Sequence, residues 1–380
     1  MAVENVPAEI WGKIFELSCN DNGQTGRSLA LVSHYIYAVS KPYQYQSVTL
    51  VGQCAIDRFA KLSTNVPECR RVKNLFMSTF KPDPAIVNFI QKEPLHTHSG
   101  KTSSPFFQCR TSSSSPPSEE GTIKANHAIL SDMHTILNFI SPTIQTLHIL
   151  MDFHREEIFF PYFFPGLQEL SIQGPFFDHY DCDDDFCDTL YPRIPSLRRL
   201  YLTDVFTCVK DRTYLAIRHY APFLTHLGIQ CADGYIESSR TFLKQLSGEE
   251  VEKFKEDEDY PSNVGYFWYG DAWDNEDQGE AKKKLDSQEN ESQELHFPET
   301  LQRIFMQPGP VQPRGRCGTL NIMRCATLRE LEKCASEDPR IKLFQESPWV
   351  WPYSREYEYL QGEKQWLDSI SGGLGFWKEA

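Results

Sequence analysis

One short string recurs along the middle of this chain: an apolar residue, two of any kind, leucine, one of any kind, then another apolar residue. It reads Val72-x-x-Leu75-x-Met77, Ile144-x-x-Leu147-x-Ile149, Leu167-x-x-Leu170-x-Ile172, Leu197-x-x-Leu200-x-Leu202 and Leu224-x-x-Leu227-x-Ile229, with a half-match at Leu320-x-Ile322. Each string ends in the apolar alternation of a strand with one buried face. Helical periodicity precedes two of them, over His127 to Ile140 and Asp211 to Tyr220, and Pro142, Pro165, Pro195 and Pro222 punctuate the turns. One strand and one helix cannot bury the strand's inner face alone, so units of this kind stack and share a continuous core.

From Leu147 to Leu227 the leucines lie 23, 30 and 27 residues apart (170 − 147, 200 − 170 and 227 − 200). That range overlaps and slightly exceeds the period of leucine-rich repeats. The spacing is irregular and the asparagine of a standard repeat is missing. A short, degenerate leucine-rich-repeat-like solenoid of strands and helices is therefore expected, in a mixed α/β fold. On its strands the residues between the core positions would face outward: Asn74, Phe76 and Ser78, then Thr146, His148 and Leu150, and so on to His226, Gly228 and Gln230. Phe76, His148, Glu169, Arg199, Tyr201 and His226 are the candidates for meeting a protein target. Taken singly, each is more simply an ordinary side chain.

The first fifty residues follow a different pattern. Val6, Ile10, Ile14 and Leu17 recur at three- and four-residue intervals with Trp11 and Phe15 beside them, which predicts a helix with one wide apolar stripe. Pro7 suits a first helical turn, where its missing amide has no intrahelical partner. A second apolar-faced helix follows a turn. So wide a stripe exceeds what this short unit can cover by itself, and it needs either the rest of the chain or another protein.

Val6-Pro7-x-Glu9-Ile10-Trp11-x-x-Ile14-Phe15, followed by Gly26-Arg27-Ser28-Leu29-Ala30-Leu31-Val32-Ser33 and the aromatic Tyr35 and Tyr37, resembles an F-box. It looks most like the F-box-like proteins of the fungal type. The resemblance implies a helical module that docks onto the Skp-type adaptor of a cullin–RING ubiquitin ligase, with Val6, Pro7, Ile10, Trp11, Ile14, Phe15, Leu29, Val32 and Ser33 as candidate adaptor-binding residues. It further implies a substrate receptor that acts by proximity, with no catalytic residue and no cofactor. A stand-alone repeat scaffold with a helical end cap is the alternative, and a hydrolase with an unrecognised site is a third.

Charge narrows the choice of partner. The net charge is −14, and the segment from Glu249 to Glu299 holds 17 acidic and 5 basic residues, a local balance of −12. The remainder is near neutral and offers no basic stripe for a phosphate backbone, so nucleic acid is not an expected partner. No run approaches the roughly 20 apolar residues that span a bilayer, and the N-terminus lacks the pattern of a signal peptide. Eleven scattered cysteines fit a reducing compartment, and a cytoplasmic or nuclear protein is expected.

Phosphate-binding glycine loops, His-Glu-x-x-His helices and nucleophile elbows are missing. His179, Cys182 and Cys187 among Asp183, Asp184 and Asp185 have no second ligand pair to complete a zinc site, so a polar loop is the better reading. The expected organisation is an F-box-like helical module over 1–47, a repeat body over 48–345 and a Trp-rich C-terminal cap over 346–380. The body carries flexible insertions at 93–124, around Ser112 to Pro117, and at 248–298. The cap, with Trp349, Trp351, Trp366 and Trp377, would cover the last open edge of the array. Tyr266 to Tyr269 and Trp273 would pin part of the acidic insertion to the body.

Overall fold

The computed structural model describes residues 6–92, 119–151, 163–173, 194–203, 217, 220–231, 298–308, 318–345 and 354–378. Eight strands form one sheet: β1 (Ser47–Val51), β2 (Asn74–Ser78), β3 (Thr146–Leu150), β4 (Glu169–Gln173), β5 (Arg199–Thr203), β6 (His226–Cys231), β7 (Arg303–Pro308) and β8 (Ile341–Leu343). Every neighbouring pair is parallel, and strand order across the sheet follows chain order from β1 to β8. The helices described are α1 (Ala8–Ser18), α2 (Gln24–Leu29), α3 (His34–Ser40), α4 (Gln53–Asn65), α5 (Pro84–Lys92), α6 (Glu119–Ile140), α7 (Gly318–Glu337) and α8 (Ser354–Ile370). The fold is mixed α/β.

The recurring string sets the register. Its central positions form one transverse row, Val48, Leu75, Leu147, Leu170, Leu200, Leu227, Ile304 and Ile341. Two residues on, Leu50, Met77, Ile149, Ile172, Leu202, Ile229, Met306 and Leu343 form a second row on the same face. Both rows enter one continuous core with Ile56 and Phe59 of α4, Met133, Ile136 and Leu137 of α6 and Leu331 of α7. Amphipathic spacing explains the helices: Ile56, Phe59, Ala60 and Ser63 of α4 turn inward at three- and four-residue steps. Each fully buried Leu or Ile contributes about 1.5–3 kcal/mol relative to its exposed state.

Three sequence expectations are corrected. Leu320 and Ile322 lie in helix α7; the sixth string is Leu301-x-x-Ile304-x-Met306 on β7, with isoleucine in place of the central leucine. Helix α6 begins at Glu119, inside the 93–124 segment read as a loop. Most of that insertion, the acidic segment 248–297 with its aromatics, residues 211–216, 218 and 219 of the helical reading, the His179–Cys187 cluster, Trp349 and Trp351 lie outside the described residues.

The third correction concerns the described part of the C-terminus, residues 354–378, which covers a face of the sheet where the sequence suggested its last edge. Helix α8 and the 3-10 turn Gly375–Trp377 lie across the second face of the sheet. The reason is the residues of that face: Phe76, Leu150, Tyr201 and Phe305 are too apolar to face water, and an all-parallel sheet is stable with both faces covered. Tyr359, Trp366 and Ile370 cover Phe76 and Leu150, while Phe376 and Trp377 cover Tyr201 and Phe305. Small residues allow the close approach. A Cβ on Gly362 of α8 would lie 2.8 Å from His148 Nε2, and one on Gly228 of β6 would meet the rings of Tyr201 and Phe376.

Candidate docking surface

The N-terminal helices form a small unit built around three buried residues, Phe15, Cys19 and Ile36, with Trp11, Leu29, Tyr35, Val39 and Tyr43 partly buried about them. Helix α1 starts on Pro7, whose carbonyl accepts from the amides of Ile10 and Trp11 at 3.0 and 3.2 Å. Trp11 stacks on Phe15 with centroids 5.4 Å apart, and Gly12 lets Tyr43 lie against the helix backbone. The Tyr35 hydroxyl donates to the Val6 carbonyl at 3.0 Å, fixing the entry to α1. Asp21 accepts from the amides of Gly23 and Thr25, both at 2.8 Å, and so organises the start of α2.

The expected second helix is two helices, α2 and α3. Ser33 breaks them: its backbone is extended, and its Oγ accepts from the Ile36 amide at 3.2 Å as an N-cap. Leu31 and Val32 therefore fall in the turn between α2 and α3.

The predicted single stripe on α1 divides into two. Phe15 turns inward, Trp11 is half-buried, and Ile10, Ile14 and Leu17 form a separate outward row at a four- and three-residue step. Their exposures are 51%, 44% and 76%, and those of Leu31 and Val32 are 88% and 65%. Among the candidate adaptor residues, Pro7, Ile10, Ile14 and Val32 are exposed, Val6, Trp11 and Leu29 are half-buried, and Phe15 belongs to the core of the unit. Ser33 is exposed but spends its hydroxyl on the helix cap. Leu17, Leu31 and Tyr37 are exposed apolar residues that the candidate set omits, although the periodicity and motif contain all three.

This unit is seated firmly on β1. The side chain of Gln46, itself buried, donates to the Glu16 carbonyl at 2.7 Å and to Asn20 Oδ1 at 2.6 Å. The Gln46 carbonyl then accepts the first two amide bonds of the next strand, from Lys73 and Asn74. Lys73 Nζ reaches Glu16 at 2.8 Å and holds its carboxyl below the usual range. Burial pushes the Cys19 thiol up to about 11, which keeps it protonated.

Three of the six target-facing candidates are not brought to an open surface, and this corrects the expectation for them. Phe76, His148 and Tyr201 are buried beneath the C-terminal segment. Phe76 stacks on His148 at 5.0 Å and meets Tyr359 edge-on at 5.6 Å. Tyr201 packs on Phe376 at 3.8 Å. Glu169, Arg199 and His226 are only partly buried on their strands. There the Glu169 carboxylate accepts from Arg199 at 3.3 Å and from Ser369 of α8 at 2.9 Å. Burial, with Arg199 and Arg303 nearby, depresses the His226 imidazole.

Among the described residues there is no group of three His, Cys, Asp or Glu side chains placed to hold a metal ion, and no helix is long and apolar enough to cross a membrane. No protein-family model matches the chain, and no curated protein or solved structure shows significant similarity to it.

Proposed function

We infer that this chain is a substrate-recognition subunit of a Skp–cullin–F-box ubiquitin ligase. Residues 1–47 are its F-box-like adaptor-binding module, and the body is a degenerate leucine-rich-repeat-like solenoid that holds a target protein. The observation carrying this reading is the outward apolar row Ile10, Ile14 and Leu17 on α1, with Leu31 and Val32 on the following turn, left open on a unit whose own core is already closed by Phe15, Cys19 and Ile36. Exposed large apolar side chains grouped on one small unit mark an interaction surface. Sequential parallel strands carrying one repeated string support the solenoid reading. With Phe76, His148 and Tyr201 covered, the target is met by the half-open Glu169, Arg199 and His226. The activity is proximity: a tethered target is presented at high effective concentration, and no residue of this chain performs bond chemistry.

Co-expression of the full chain with a Skp-type adaptor tests the proposal. A stoichiometric complex is expected on size exclusion, and Ile10→Ala with Val32→Ala should weaken it at least tenfold while leaving the thermal midpoint of the free chain unchanged. No association at concentrations on the order of 30 μM, where a contact of about 6 kcal/mol would register, overturns it. The Gln46 bonds to α1 favour one second reading, a stand-alone interaction scaffold in which the N-terminal unit serves as end cap. Under that reading deletion of residues 1–45 unfolds the body, whereas a pure docking module is removable with modest loss.

A further inference from the structure

Resting on the substrate-receptor reading, we propose that the partly open border of the sheet's second face, along Arg199, His226, Arg303 and Lys342 on β5–β8, docks an extended acidic segment of the target protein. Arg199, His226 and Arg303 stand opposite one another on neighbouring parallel strands, and Lys342 stands opposite Phe305. Each of the first three lies two residues before Tyr201, Gly228 or Phe305, so strand alternation puts it on the face those residues share. The contacts agree. Arg199 donates to Glu169, which also accepts from Ser369 of α8. His226 meets Trp377 edge-on at 5.6 Å and lies 6.3 Å from Phe305. Arg303 is exposed, and the Arg199 side chain keeps 35% of its exposure. Burial, then the charges of Arg199 and Arg303, depress the His226 imidazole, which places both guanidinium groups near it.

Charge complementarity names the occupant. On a chain of net charge −14, four successive strands each bring one basic side chain to this border, and no linear window of sequence contains more than one of them. Glu169 pairs with Arg199 at the β4 side, and Asp338 pairs with Arg340 just before β8. Strands about 4.8 Å apart set β5 and β8 about 14 Å apart, the reach of an extended segment of roughly five residues. A lone small anion cannot span that distance, whereas carboxylates spaced along one strand meet successive cations and relieve their mutual repulsion.

Anisotropy of a fluorescein-labelled, alternating Glu-Ser decapeptide with the full-length protein, adaptor absent, tests the site. Saturable binding that weakens from about 50 to about 300 mM salt is expected. Arg303→Glu should weaken it about fivefold or more, whereas Arg58→Glu, the same charge change on α4 against the other face of the sheet, should stay within about twofold. No saturable binding up to about 1 mM protein, an equal loss in the two variants, or preference for a single-stranded RNA of matched charge overturns the proposal. Adaptor binding is read in a separate experiment, so its failure would strike the ligase reading while peptide binding persists, and the reverse result strikes this site alone.

Discussion

His148 is the residue whose protonation the fold opposes most clearly. Burial beneath Gly362 and beside Phe76 depresses its imidazole to about 3. A histidine whose folded value lies below its unfolded value of about 6.5 stabilises the fold only while it is neutral. That contribution is complete above the unfolded value and is lost as the pH falls from 6.5 toward 3, because the unfolded chain takes up the proton first. Going from pH 7 to pH 5 should therefore cost about 2 kcal/mol through this residue. His148→Phe should flatten the dependence, as measured by urea denaturation at the two pH values. At the N-terminal unit, neighbouring residues of one motif should separate: Phe15→Ala loses about 3–5 kcal/mol of local stability as a core truncation, whereas Ile10→Ala stays within about 0.5 kcal/mol. Hydrogen exchange across α1 and α3 distinguishes the two. Periodicity placed both residues on one stripe, and which of them points inward depends on where α3 and Tyr43 pack, which no spacing within α1 encodes.

At the scale of elements, the turns before the strands repeat a bond that the string does not name. The hydroxyls of Thr143, Ser196 and Thr300 each sit one residue before the first apolar position of their string, and each donates to a carbonyl two residues before the corresponding position of the preceding unit: Arg70, Pro165 and Pro222. Thr143 and Thr300 also reach Val72 and Leu224 at 3.0 and 2.8 Å. These hydroxyls tie one strand's turn to the turn before it, and they were visible in the sequence as Pro-Thr, Pro-Ser and Pro-Glu-Thr. Five of the eight strands were legible from a string with leucine at its centre; β1, β7 and β8 escaped because Val48, Ile304 and Ile341 stand there instead. The covering of the second face depends on close approach. Gly228→Val, whose side chain would enter the space of the Tyr201 and Phe376 rings, should lift the Gly375–Trp377 turn. A red shift of tryptophan emission with retained far-ultraviolet dichroism checks this.

Over the whole molecule, one sheet carries the N-terminal unit beside β1 and the C-terminal segment on its second face. Truncation before Ser354 should expose Phe76, Leu150, Tyr201 and Phe305 together and leave a chain that binds hydrophobic dyes and aggregates. Gln46→Ala should lower stability by about 1 kcal/mol, because the buried Gln46 side chain no longer donates to the Glu16 carbonyl and the Asn20 amide oxygen; differential scanning calorimetry measures it. The sequence by itself determined a mixed α/β chain with a helical N-terminal unit and a stacked strand array, because apolar spacing is local and a period of two or of 3.6 fixes which residues share a face. Only the tertiary structure decided that the chain's own C-terminal segment covers the apolar part of the sheet's second face. That outcome rests on contacts between residues nearly three hundred positions apart, such as Phe76 with Tyr359 and Trp366. A face rich in Phe and Tyr carries the same alternation whether a partner or the chain's own terminus covers it.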